Sequence, residues 1–134
     1  MQLVEIKNTN ISIDTKNVLE DVNFNLFKGE MKFLIGKTGS GKTTFINSIF
    51  GNLAPSKSEV FKVLNYNIKN LNNKEIPLLR RKIGFVFQDF KLLVDRNIYD
   101  NMKFVLEATG WADKNKIDNQ IKKVFELVGI NSPL

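Results

Sequence analysis

The chain of 134 residues contains no cysteine and no histidine. Without cysteine there is no disulfide framework and no thiolate metal site. Without histidine the commonest general base and the commonest metal ligand are both missing. Any chemistry must therefore use carboxylates, Lys, Gln, hydroxyls or a bound ion. Long apolar runs are absent too. The opening MQLVEIKNTN has none of signal-peptide length, and nothing approaches the ~20 apolar residues of a membrane span. A cytoplasmic protein is expected, one that reaches a membrane only by docking to a membrane partner. A basic block is also missing. The formal net charge is +6, but the lysines are scattered and the longest cluster is Arg80-Arg81-Lys82. No aromatic residues interleave with a basic stripe, so a nucleic-acid partner is not expected.

What is present is globular: 43% of residues are hydrophobic and 25% charged, in a length that suits one ordinary domain. Apolar patterning predicts short strands at 4–7, 11–13 and 59–64, and a half-buried strand over VNFNLF, 22–27. Lys28-Gly29-Glu30 reads as a turn. KFLI (32–35) and IGFVFQ (83–88) read as buried central strands. Helices are predicted at 44–50, at 74–82 with Pro77 in the first turn, at 97–109 and at 113–128. The last two carry apolar stripes, Ile98, Met102, Val105 and Leu106 in one, and Ile117, Ile121, Val124, Phe125 and Val128 in the other. Those stripes read as core packing. Trp111 reads as packing at the helix junction, and Arg80 and Arg81 as a solvated helix face.

The chemistry is concentrated in LIGKTGSGKTT (34–44). Gly36-Lys37-Thr38-Gly39-Ser40-Gly41-Lys42-Thr43 matches G-x-x-x-x-G-K-[ST], the P-loop, with an apolar run before it and an amphipathic helix after it. Triphosphate oxygens need donors with no bulk around them. The glycines let backbone N–H groups turn inward and approach closely. The helix that follows adds the positive end of its dipole. Lys42 can reach the β- and γ-phosphates, Thr43 can ligate Mg2+ through its hydroxyl, and Thr44 can donate to the α-phosphate. ATP and Mg2+ are the ligands expected.

The stretch FNLFKGEMKFLIGKTGSGKTT (24–44) resembles the ATP-binding cassette (ABC) ATPases, in which a strand, a K-G-E turn and the P-loop strand follow in this order. LRRKIGFVFQDFKLL (79–93) resembles the Q-loop of the same family. By that resemblance Gln88 would contact Mg2+ and the attacking water, Lys42 and Gln88 would be the catalytic residues, and the loop after Gln88 would face a transmembrane partner. Walker B needs an apolar strand ending in Asp-Glu; neither Asp89 nor Asp95, which precedes Arg96, meets this. The wording RR-IG-VFQDF-LL, with DRNIYDN and ATGW, is similar to the cell-division branch of the family, the FtsE type. That implies an ATPase coupled to an FtsX-like transmembrane protein. It further implies a homodimer of the complete enzyme, peripheral on the inner face of the cell membrane. Another ABC system such as lipoprotein export remains an alternative, as does a non-catalytic nucleotide-binding module or gene remnant.

The implied fold class is α/β, a P-loop NTPase fold of ABC type. It would be incomplete: a β subdomain and P-loop core through the Q-loop at 1–93, with an antiparallel β segment, and the start of a helical subdomain at 94–134. Two features depart from the family pattern. The aromatic residue that usually stacks on adenine falls at Ser12 or Ile13, with Ile11 alongside, and none of these is aromatic. The signature LSGGQ, Walker B with its glutamate and the switch histidine do not occur in the 134 residues. The expectation is an N-terminal part of a longer protein or a truncated gene product. Alone it would bind Mg-ATP, hydrolyse it poorly or not at all, and expose an unpaired sheet edge with apolar surface.

Overall fold

The computed structural model describes residues 1–130. The chain divides into two compact units, Met1–Phe85 and Val86–Leu134.

The first unit is built on a long hairpin. Strand β1 (Gln2–Ile13) and strand β2 (Lys16–Phe27) pair antiparallel through a tight turn in which Asp14 takes a φ of 52°. β1 is one strand where the sequence predicts two. The buried residues run Val4, Ile6, then Thr9, Ile11, so the inward face switches from even to odd positions. The switch happens at Asn8, which adopts a φ of 42° and breaks the register between Ile6 and Thr9. A bulge of this kind adds one residue and flips the side-chain alternation. Asparagine tolerates the left-handed region better than most residues. Its amide Nδ2 donates to Glu59 at 2.7 Å, which holds the bulge in place. Thr9 is buried but satisfied, sharing a hydrogen bond with Ser58 Oγ at 2.7 Å. β2 likewise runs six residues further back than its predicted start at Val22.

Strand β3 (Val60–Val63) joins the other edge of β1, placing Phe61 opposite Ile6, and β4 (Tyr66–Asn67) completes an antiparallel sheet in the order β2-β1-β3-β4. Helix α1 (Lys42–Ile49) packs on this sheet through Phe45, whose ring meets Phe24 edge-on with centroids 5.1 Å apart. Edge-on pairs of this kind add about 0.5–1.5 kcal/mol beyond their buried area. Helix α2 (Glu75–Arg80) contributes Leu79 to the same core. Arg80 does more than solvate a helix face: its Nε donates to Phe50 O at the end of α1, and its guanidinium lies over the Phe50 ring at 5.0 Å.

Two predicted elements do not form. Residues 32–35 and 83–88 are not strands among the described residues. Phe33, Ile35 and Val86 face solvent, at 81%, 90% and 83% exposed, while Ile83 packs against the core of the first unit and the Phe85 ring lies 4.6 Å from that of Phe50. The physical reason is that a strand exists only as part of a ladder, and no described segment pairs with either stretch. Apolar content alone does not hold extended backbone in place. The predicted Lys28-Gly29-Glu30 turn does form, with Gly29 at φ 86° and Glu30 N–H donating to Phe27 O at 3.1 Å.

The second unit is a helix pair, α3 (Ile98–Ala108) and α4 (Lys114–Leu127). Both start on side-chain caps: Asn97 accepts from the Asp100 N–H at 2.7 Å, and Asp113 accepts from the Lys116 N–H at 3.2 Å. Ile117, Ile121 and Phe125 of α4 are buried against Tyr99, Met102, Leu106 and Ile130. The α3 stripe is therefore Tyr99, Met102 and Leu106, while Ile98 and Val105 are exposed, as is Val128 at the end of α4. Trp111 lies at the rim, 39% exposed, not inside the junction.

Candidate nucleotide-binding site

Residues 36–44 come together as one cradle in the first unit. Ser40 N–H donates to Lys37 O at 3.2 Å, turning the loop back on itself. The chain then enters α1 at Lys42, two residues earlier than predicted, so Lys42, Thr43 and Thr44 form the first helical turn. Gly41 is the residue before that turn and has φ 88°. No side chain caps the helix start, and no acidic residue lies in its first turn. The first N–H groups of a helix have no partner within it. Here they lie at the positive end of the dipole with no side-chain cap.

Gly41 is required by space as well as by conformation, whereas Gly36 is crowded only by a side-chain end. A Cβ on Gly41 would come within 2.7 Å of Leu19 Cδ2 and 3.3 Å of Val18 Cγ1, so β2 fits directly against the start of α1. A Cβ on Gly36 would meet Ser40 Oγ at 2.7 Å. Gly39 is left-handed at φ 80°, with open space around it.

Lys42 is folded back over the loop. Its Nζ donates to Gly36 O at 2.8 Å and to Lys37 O at 2.7 Å. The ammonium is therefore held against the loop by two of its carbonyls. Thr43 is exposed, and Lys42 and Thr44 are half-buried. A cavity of about 330 Å3 opens between the loop and β2, bordered by Leu19, Gly36, Ser40 and Lys42. Val18 and Leu19 were not foreseen as neighbours of the loop. The only sequence signal is the strand alternation carried back to Lys16, which the polar run EDVN obscures.

Gln88 lies in the second unit, exposed in a turn. Directly after it, Asp89 pairs with Lys91 at 2.7 Å. That hydrogen bond holds the Asp89 carboxyl below its ordinary range, so it is ionised at neutral pH. Phe90 and Lys91 both take left-handed φ, 55° and 51°. The segment is then tied to α3: Asn101 Oδ1 accepts from Leu93 N–H at 2.8 Å, while its Nδ2 donates back to Leu93 O at 3.1 Å. Among the described residues, no group of three or more His, Cys, Asp and Glu is placed to hold a metal ion. No helix there is long and apolar enough to cross a membrane.

The family model described as ABC transporter matches residues 19–133. The cell division ATP-binding protein FtsE of Mycobacterium tuberculosis is 39% identical over 113 residues, covering 84% of this chain and 48% of that protein. The methionine import ATP-binding protein MetN of Helicobacter pylori is also 39% identical, over 133 residues, covering 98% of this chain and 40% of that protein. A dimeric ATP-binding cassette solved in a post-hydrolysis state with ADP and Pi matches with a TM-score of 0.79 at 27% identity, over 92% of this chain and 56% of that one. The chain spans about half the length of the proteins it matches. Cell-division and import relatives stand at equal identity, so the likeness fixes the family and not the FtsE branch. The fold is that of the ABC-type P-loop NTPases, and the chain belongs to the ABC transporter family.

Proposed function

We propose that residues 36–44 grip Mg-ATP, as the phosphate-binding part of an ABC-type ATPase. The observation that carries this reading is the uncapped start of α1, with the Lys42 ammonium held over it by two loop carbonyls. Gly36, Lys37, Thr38, Gly39, Ser40 and Gly41 form the cradle, whose backbone N–H groups would turn to the phosphates, that of Ser40 leaving Lys37 O to do so. Lys42 exchanges its carbonyl partners for β- and γ-phosphate oxygens. The Thr44 hydroxyl donates to the α-phosphate. The residues also fit a hard divalent ion: the Thr43 hydroxyl is an exposed oxygen ligand at the helix start, and the remaining oxygens would come from the nucleotide. When bound, Mg2+ offsets the negative charge that builds up between the phosphates. Gln88 is assigned to the ion and the attacking water on family grounds.

Hydrolysis of ATP to ADP and phosphate belongs to the complete protein acting as a homodimer, a reading supported by the dimeric cassette among its structural neighbours. An FtsX-like transmembrane partner, with the ATPase peripheral on the inner membrane face, is supported by the FtsE relatives. The MetN relatives favour a second reading, the ATP-binding subunit of an import system, to the same degree. Co-purification of the full-length protein from membranes separates the two by the class of permease recovered. For the site itself, calorimetric titration of Lys42→Ala should show Mg-ATP affinity lowered roughly 10–100-fold, the worth of one or two charge-assisted hydrogen bonds. Ser56→Ala, in the loop before β3, should bind as the parent chain does. Equal affinity for parent and Lys42→Ala would sink the proposal.

A further inference from the structure

We infer that Arg80 is a positioning residue for the phosphate grip: it closes the far end of α1 and, through that helix, holds the amides of Lys42, Thr43 and Thr44 in place for phosphate oxygens. The inference rests on the proposed grip of residues 36–44 and extends it to a side chain outside the cradle. α1 has eight residues, about two turns. A helix that short does not persist on its own backbone bonds, so its order comes from what it touches. Its N-terminal end has no side-chain cap. The anchored end is the other one.

There Gly51 N–H donates to Ser48 O at 3.1 Å and Asn52 N–H to Asn47 O at 2.9 Å, with Gly51 left-handed at φ 73°. This is the glycine stop that satisfies the last carbonyls of a helix. α2 lies directly against it, since a Cβ on Gly51 would come 3.4 Å from Leu79 Cδ2. Arg80, half-buried and next in α2, then closes the end: its Nε donates to Phe50 O at 3.3 Å, and a second guanidinium nitrogen donates to Asn52 Oδ1. The planar fork of arginine suits two acceptors at once. Its face also covers the Phe50 ring at 5.0 Å. Charge points the same way as geometry. α1 has no basic residue in its last turn, so Arg80 supplies the cation that favours a helix C-terminus. A cation at the last turn and an anion at the first act on one dipole. Losing Arg80 should therefore weaken the hold on phosphate without any contact between them.

The test is a titration of the full 134-residue chain with Mg-ATP and Mg-tripolyphosphate, with denaturant melts of each variant alongside. Arg80→Ala should weaken both ligands to the same degree, by about three- to tenfold. Arg80→Lys keeps the cation and loses the fork, so it should recover affinity to within about twofold of the parent. Val63→Ala, a cavity in β3 of the same core, should lower stability and leave the affinity of the folded chain unchanged. Should Arg80→Ala not fold, Arg80→Gln, uncharged but longer, takes its place with the same expectation. Equal affinity for the parent and the uncharged variant overturns the inference and leaves the phosphate grip intact. A loss in Val63→Ala as large as that in Arg80→Ala also overturns it, by making the effect one of general stability. A parent chain that binds neither ligand overturns the grip and this inference with it.

Discussion

Gly41 carries two constraints at once, and they make it the least replaceable residue of the cradle. Its φ of 88° is costly for any residue with a Cβ, and that Cβ would collide with Leu19. Strain at a left-handed position is of order 1–3 kcal/mol before any clash is counted. Gly36 is different: its only close neighbour is the Ser40 hydroxyl, the end of a side chain that can rotate. Gly41→Ala should therefore lower the unfolding free energy by about 2 kcal/mol or more and abolish Mg-ATP binding. Gly36→Ala should cost less stability, because Ser40 can move aside. Denaturant melts of both variants check the order; equal losses would contradict it. The motif reading identified every glycine here, but not the reason for the last one. That reason lies in Leu19, 22 residues upstream of Gly41 and brought close only by the fold.

Elements differed in how far they could be read from the chain. Helices α3 and α4 were legible within a residue or two, because their apolar spacing and their Asn97 and Asp113 caps are local signals. The stripe of α3 was misread by one step: Tyr99 packs where Ile98 was expected. Tyrosine can sit there because its hydroxyl donates to Asp118 of α4. That bond to a carboxylate is the main cause of a phenol pKa raised above its ordinary value of 10.0. A raised pKa means the folded unit favours the protonated phenol. The resulting stability is complete below pH 10 and is lost as pH rises through the higher folded value. Far-UV circular dichroism of the intact chain should show α3 and α4 loosening above pH 10. Tyr99→Phe should remove this alkaline step. An unchanged step in Tyr99→Phe would assign it to another group. Residues 32–35 and 83–88 were illegible for the opposite reason. Their apolar runs are a valid strand signal, but pairing is a non-local property that no window of four to six residues contains.

At the scale of the whole molecule, much apolar surface is on the outside. Met31, Phe33 and Ile35 follow the K-G-E turn in the open, and Phe90, Leu92 and Val94 do the same after Gln88. Surface of this kind marks either a contact site or an aggregation liability. The 134-residue chain should associate with rising concentration and bind a hydrophobic dye. The double variant Met31→Ser, Phe33→Ser should lower both signals with Mg-ATP affinity unchanged, measured by light scattering and titration. A double variant that scatters light as the parent does would move the liability elsewhere. The two units are also unequal inside. Eight buried apolar residues hold the sheet and α1 together, from Val4 to Leu79, while the helix pair is centred on three. Backbone amides of the helix pair should thus exchange with solvent at opening energies well below those of β1 and α1. The cradle is seated on the slow-exchanging half, so its shape outlasts the excursions of its neighbour.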